Sequence, residues 1–335
     1  MNATMATYIK DKVLGLCLIL AGSLCITGCD DGQDDGLGGG NVGGANTNRN
    51  IATTETAVER IEFPKLKGNG SIVIVQRTTT MPGTVNYAIE WDTEKMAQRW
   101  SCFQMYYNNY KGSAGRYDPE ENPGNHAGEP QYPYDPQLPS AYYPDRDYIY
   151  GSGFQHGHIV ASEDRQVSKE SNYQTFFLTN MQPQYGKFNG YEGSNQGIWL
   201  RMENKLRSWA PTSKTKGDTL YVCKGGTIDT VNGKSNVLNK IQGKLIVPKY
   251  FFMAALYGNS KGYRAIGFWA EHKNQWGTND DLVTYVVTID ELEKLTGIDF
   301  FCNLPDNMEN NVEDHVAYKA WGFSDPKAAK AESKR

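Results

Sequence analysis

Apolar and polar residues alternate along Ser71 to Gln76, around Ile72 and Ile74, and again along Val85 to Trp91, a period that predicts two strands. A third strand is expected over Arg99 to Tyr107. Thr175 to Thr179 is β-branched and aromatic, which suits a buried strand. The period then changes. Ile198, Trp199, Met202, Leu206 and Trp209 recur at near-helical spacing, so a helix is expected to begin near Asn195 and to stop before Pro211. Strands return over Asp218 to Gly225, Gly243 to Val247, Tyr250 to Tyr257 and Tyr263 to Trp269. Asp290 with Glu293 three residues on has the form of a capping box, and Gly297 closes the helix it opens. No period of roughly 20 to 50 residues recurs, which excludes a solenoid. The pattern predicts an α+β fold.

The first residues follow another logic. Lys10 and Lys12 precede an apolar run from Val13 to Ile26, which ends at Ile26-Thr27-Gly28-Cys29. The run is short for a bilayer span. A basic flank, a short apolar core and small residues before a cysteine resemble a bacterial lipoprotein signal over residues 1–28, with lipid attached to the Cys29 thiol. An ordinary secretory signal is the alternative. Residues 29–60 open with Asp30-Asp31-Gly32-Gln33-Asp34-Asp35 and are rich in Gly and Asn, so a flexible tether is expected there. An acidic tract after a lipidated cysteine resembles signals that send lipoproteins to the cell surface. The expectation is a cell-envelope protein anchored to the outer membrane through Cys29, with a folded body over 61–325 and a frayed tail over 326–335.

Composition changes this picture in three places. Of the six cysteines, Cys17 and Cys25 leave with the signal and Cys29 takes the lipid. Cys102, Cys223 and Cys302 lack metal-type spacing and are expected as buried thiols, one disulfide plus a free thiol being the alternative. The stretch from Asn108 to Tyr150 is crowded with Pro, Tyr, Gly, Asp and Asn and reads as a long loop, whose tyrosines favour packing over disorder. The formal net charge of −4 runs against a protein that depends on diffuse attraction to phosphates. A bound cation can nonetheless dominate the field inside a cleft.

One block concentrates the residues that carry chemistry. It begins Phe-Gln-His-Gly-His-Ile-Val-Ala-Ser at Phe154 and ends Asn-Gln-Gly-Ile-Trp-Leu-Arg-Met-Glu at Glu203. His158 follows a glycine that lets the backbone approach closely. Taken singly, an asparagine before a helix is commonly an N-cap, and a helical glutamate or a loop arginine is commonly solvated. Their joint appearance in one ordered block raises them above those roles. His126, His272 and His315 have no motif around them.

Three motifs in order then carry a resemblance: Gly157-His158, the run Leu178-Thr179-Asn180-Met181-Gln182-Pro183-Gln184, and Asn195-Gln196-Gly197-x-Trp199-x-x-x-Glu203. They resemble the DNA/RNA non-specific endonuclease family with its ββα-metal finger. A weaker likeness runs from about Asn86 to Asp306. The resemblance implies a central antiparallel sheet flanked by helices, and a Mg²⁺-dependent nuclease, with Mn²⁺ among the cations able to substitute, that cuts DNA and RNA with little sequence preference. His158 would activate water, since its ordinary pKa lies near operating pH. Asn180 would position the imidazole or the substrate. Asn195 would offer a neutral oxygen to a cation that keeps most of its waters. Glu203, about 80° round a helix from Asn195, would accept from those waters. Arg116 matches the family's upstream arginine and would stabilise charge on the phosphate. Arg201 is expected as a phosphate contact or a surface charge.

The chain departs from the family at two places. The usual Asp-Arg-Gly-His is here Gln155-His156-Gly157-His158. His156 is expected to take part of the arginine's role by donating to phosphate. The Phe188-Asn189 pair also resembles the family's metal asparagine, but Asn195 alone keeps the four-residue spacing to Trp199 and on to Glu203. Two other functions stand beside the nuclease: an impaired nuclease fold that binds nucleic acid or glycan at the cell surface, and a zinc site at His156 and His158, for which the pair supplies half a tetrahedron.

Overall fold

The computed structural model describes residues 44–79, 84–190, 196–277 and 281–326. The lipoprotein signal, Cys29, Asn195 and all of the expected frayed tail except Pro326 lie outside them.

The strands needed to position the site are β1 (Ser71–Arg77), β2 (Val85–Asp92), β3 (Ala97–Tyr106), β4 (Gln155–His158), β5 (Met181–Gln184), β6 (Thr219–Gly226), β7 (Tyr250–Asn259), β8 (Gly262–Glu271) and β9 (Val286–Val287). Among the described residues, seven of them form one sheet in the order β1-β2-β3-β6-β7-β8-β9, antiparallel throughout. Both faces are covered, because alternate residues of one strand feed two different cores. In β7, Phe251, Met253 and Ala255 point to one core while Phe252, Ala254 and Leu256 point to the other. The first core is closed by Trp199, Met202 and Leu206 of α3 (Ile198–Trp209). The second is closed by Ile289 and Leu292 of α4 (Ile289–Thr296) and by Met308 and Val312 of α5 (Asp306–Glu313). Burial on both sides explains why the central strands read as near-continuous apolar runs. Every residue of β2 is buried.

The expected α+β class with a central antiparallel sheet and flanking helices is what the chain forms, and most strand boundaries fall within two residues of the predicted ones. Several expectations change. Thr175–Thr179 is not a strand. A short helix, α1 (Lys169–Gln174), is capped by Ser168, and Thr175 closes it; Leu178–Asn180 is a 3₁₀ turn. Helix α3 opens at Ile198, not near Asn195. Helix α4 is capped by Thr288, whose Oγ1 accepts from Glu291 N at 3.1 Å, so Asp290 lies inside the first turn. Gly297 ends it in the left-handed region, as its sequence position predicts.

The tether expected over 29–60 ends early, because from residue 44 the chain is packed on the body. Asn46 Nδ2 donates to the carbonyl of Cys302, Asn48 to Asp299 and Glu309, and the buried Asn50 to the carbonyls of Val58 and Pro64. The asparagines that gave this stretch its polar composition are the groups that fasten it. Cys102, Cys223 and Cys302 are free and buried, as expected. The loop after β3 is also ordered: Asp135, buried within it, accepts from Gln76 Nε2 at 2.6 Å and Thr179 Oγ1 at 2.8 Å.

Candidate active site

The site grows from a pair of four-residue antiparallel strands and the helix packed beside them. Strands β4 and β5 pair with His158 opposite Met181 and Gly157 opposite Gln182. A side chain at 157 has no room, since a Cβ there would lie 2.2 Å from Gln184 Cδ. Trp199 of α3 donates its indole N–H to the carbonyl of His158 at 3.2 Å, tying helix to strand. These three elements form one side of a cleft of about 630 Å³, lined among others by Arg116, Tyr132, His156, His158, Asn189 and Glu203.

His158 sits at its floor. The ring meets the edge of Phe176 with centroids 4.8 Å apart, and its Nε2 is covered and has no hydrogen-bond partner among the described residues. Burial pushes its pKa well below the usual histidine value, and the positive field of Arg116 adds to the shift. The imidazole is therefore neutral, and the ring that lines the cleft keeps one unpartnered nitrogen among the described residues. Such a group accepts a proton.

Arg116 lies over the Phe176 ring at 4.7 Å and is exposed to solvent at the cleft. Glu203 is buried, and its Oε1 accepts from Lys224 Nζ at 2.9 Å. Burial raises the carboxyl's pKa and the Lys224 charge opposes that. One helical turn further on, Arg207 pairs with Asp164 and Glu163, each at 3.0 Å, and completes that wall.

Two predicted site residues do other work. Asn180 is fully buried and touches neither the cleft nor the imidazole. Its Oδ1 accepts from Val160 N and its Nδ2 donates to the carbonyls of Val160 and Thr175, so it fixes the backbone that leaves His158. Arg201 bonds the carbonyl of Gly277 and does not line the cleft. The helix turns it away from the face that carries Glu203 and Arg207.

Asn195 lies outside the described residues, whereas Asn189 lines the cleft at the end of α2 (Gly186–Asn189). Its Nδ2 donates to Gln155 Oε1 at 3.3 Å, which leaves the amide oxygen for a cation. Gly190 and Gly197 meet backbone to backbone: a Cβ at 197 would fall 2.3 Å from Gly190 N. The chain that leaves at 190 thus returns to the same point before α3 begins. The donors in the cleft are an amide oxygen and carboxylate oxygens, which suit a hard divalent cation.

Lys224, Arg207 and Asp147 escaped the sequence reading. Arg207 extends the four-residue spacing from Trp199 through Glu203, a signal that was there to use. Lys224 comes from β6 and Asp147 from the loop, and neither has a local motif.

The family model described as DNA/RNA non-specific endonuclease matches residues 73–307. A nuclease from Nostoc sp. is 30% identical over 226 residues, covering 64% of this chain and 76% of that protein. The mitochondrial nuclease EXOG of Xenopus laevis is 28% identical over 227 residues, covering 66% of this chain but only 58% of its own length. A chain in the crystal structure of an EndoG/EndoGI complex superimposes with a TM-score of 0.55 at 16% identity, over 77% of this chain and 96% of that one, a likeness of fold. With its family match running from β1 to the start of α5 and through every element of the cleft, the chain belongs to the DNA/RNA non-specific endonuclease family.

Proposed function

We propose that the cleft hydrolyses phosphodiester bonds of both DNA and RNA with little sequence preference, with His158 as general base and one Mg²⁺ held by asparagine. The observation that carries this reading is the covered, unpartnered Nε2 of a neutral His158, in one cleft with Arg116, Asn189 and Glu203. His158 takes a proton from the attacking water. Arg116 and the imidazole of His156 face the phosphate, and the guanidinium balances charge that grows as the new bond forms. Asn189 would hold the cation through its amide oxygen, and Glu203, held by Lys224, would accept from water near it. Mg²⁺ bound there would neutralise phosphate charge. The choice of Asn189 over Asn195 rests on its place in the cleft.

The test is cleavage of supercoiled plasmid and single-stranded RNA by the purified protein, with Mg²⁺ or with EDTA. Degradation of both polymers is expected with Mg²⁺ and is lost with EDTA or in His158→Ala. Intact polymers across several divalent cations and pH values would sink the reading and leave a surface protein that binds nucleic acid or glycan.

We further propose that the mature protein is anchored in the outer membrane through lipid on Cys29. Labelled palmitate incorporated by the wild type and not by Cys29→Ala is the expected result; equal labelling overturns it.

A further inference from the structure

The residue that departs most from the family pattern, His156, is also the most tightly held group in the cleft. Its Nε2 lies 2.6 Å from Asp147 Oδ2, with both side chains largely buried. A carboxylate only accepts, so the ring nitrogen is the donor and carries a proton. Asp147 is itself fixed, since its Oδ1 accepts from Ile149 N at 2.9 Å. Tyr132 stacks flat on the imidazole, with centroids 3.8 Å apart and planes 6° from parallel, and Tyr150 meets the ring at 4.7 Å and 61°. These contacts leave the ring one orientation. Nδ1 has no partner among the described residues, and the ring lines the cleft that holds His158.

This is more apparatus than a phosphate contact needs. Arginine, which the family carries at this position, cannot release a proton in a protein. Imidazole can, and a carboxylate on its far nitrogen fixes its tautomer and aim. The change from arginine to a carboxylate-held histidine therefore alters the kind of chemistry available, beyond the strength of a charge.

We propose that His156, positioned by Asp147, is the general acid that protonates the leaving ribose oxygen. The inference rests on the reading of the cleft as a nuclease site. In the step, His158 takes a proton from water, the water oxygen bonds to phosphorus, and the bond from phosphorus to the leaving oxygen breaks. His156 acts in its imidazolium form: the proton on Nδ1 moves to that oxygen, while Nε2–H stays on the ring and donates to Asp147. The products are a phosphate monoester and an alcohol. Exchange with solvent returns a proton to His156 and removes one from His158. Asp147 is a positioning residue, because it acts through the ring.

The experiment compares two substrates under the same Mg²⁺: a dinucleotide, whose ribose leaving group needs a proton, and a nucleoside p-nitrophenyl phosphodiester, whose phenolate does not. His156→Ala and His156→Gln are expected to lose roughly 10²-fold or more in kcat on the dinucleotide, the range of a general acid, and under about tenfold on the p-nitrophenyl ester. Asp147→Asn follows the same asymmetry to a smaller extent, with KM little changed. Circular dichroism and melting of each variant identify any that has not folded, and the glutamine variant keeps a planar polar group against Tyr132. Equal losses on both substrates overturn the proposal and make His156 a phosphate contact or a prop. A wild-type protein that cleaves neither substrate refutes the nuclease reading itself, and this proposal with it.

Discussion

The ammonium of Lys224 lies 2.9 Å from Oε1 of Glu203, with the lysine side chain fully buried and the glutamate nearly so, beneath the cleft. Lys224 also lies 5.2 Å from the Trp199 ring centroid and 5.7 Å from that of Phe103, so no water shares its charge on those sides. Breaking such a pair strands one buried charge, at a cost of about 3–5 kcal/mol. Lys224→Met should therefore melt far below the wild type and lose activity, because Glu203 is no longer held ionised. The double variant Lys224→Met, Glu203→Gln should recover much of the lost stability and none of the activity. Urea melts of the four proteins check this; a double variant as unstable as the single one would show that Lys224 acts by packing alone.

Asn189 and Asn195 make separable predictions for the cation. If Asn189 supplies the amide oxygen, Asn189→Ala raises the Mg²⁺ concentration needed for half-maximal cleavage by roughly 10- to 100-fold, on the scale of damaged metal sites. Asn195→Ala should leave it within about twofold. Calorimetric Mg²⁺ titration of the two variants gives the same comparison without turnover. The reverse order would restore the residue chosen by sequence spacing.

How far the sequence could be read depended on whether its signals were local. Strands of the main sheet were legible because each buries a long apolar run, and α3 because its apolar stripe has a clear period. Strands β4 and β5 were not, since four residues that include Gly157 or Pro183 have little strand propensity, and their pairing with each other makes them strands. Helix α5 hides for a similar reason: of its eight residues only Met308 and Val312 are apolar and buried. His158, Arg116 and Glu203, singled out by their motifs, line one cleft. Asn180, expected to hold the imidazole or the substrate, instead bonds the backbone of Val160 and Thr175, because its amide satisfies groups that a turn leaves unpaired. Asn189, the second asparagine that resembles the family's, lines the cleft, while Asn195, chosen by its spacing to Trp199 and Glu203, lies outside the described residues.

The displaced pKa of His158 fixes the acid side of the pH–rate profile. Its folded value is well below 6.5, so the base stays neutral as pH falls through the range where an exposed histidine protonates. The acid limb of kcat/KM assigned to His158 is expected below pH 6.5. Removing the Arg116 charge should move that limb toward higher pH, because the guanidinium disfavours imidazolium; Arg116→Gln tests the direction. The profile is measured as kcat/KM to report the free enzyme. A limb that stays put, or moves to lower pH, would mean that another group sets it.

Stability should rise as pH falls through the mildly alkaline and neutral range, against the usual trend for acidic proteins. The cause lies far from the cleft, where Asp290 and Glu293 of α4 meet Glu313 of α5 with carboxylate oxygens all within 4.8 Å of one another. Burial, and then mutual repulsion, pushes Glu313 up to about 10; burial also pushes Glu293 to about 8 and Glu309 to about 7. In the unfolded chain these groups titrate near 4.5, so between that value and the raised ones the folded state holds more protons. Lowering the pH in this window favours folding. His272, held near 4 by burial, and His158 act in the opposite sense, but only below 6.5. The melting temperature is thus expected to climb from about pH 9 to about pH 6.5 and to level or fall below that. Glu313→Gln keeps the shape of the side chain and removes the need to take up a proton on folding, so it should raise the melting temperature by a few degrees at pH 8 and flatten the slope. Its Oε1 has no partner among the described residues, so the substitution breaks no bond there. Melting curves of the two proteins across this range decide the matter: an unchanged slope in Glu313→Gln would show that Glu313 takes up no proton on folding and that other groups set the slope.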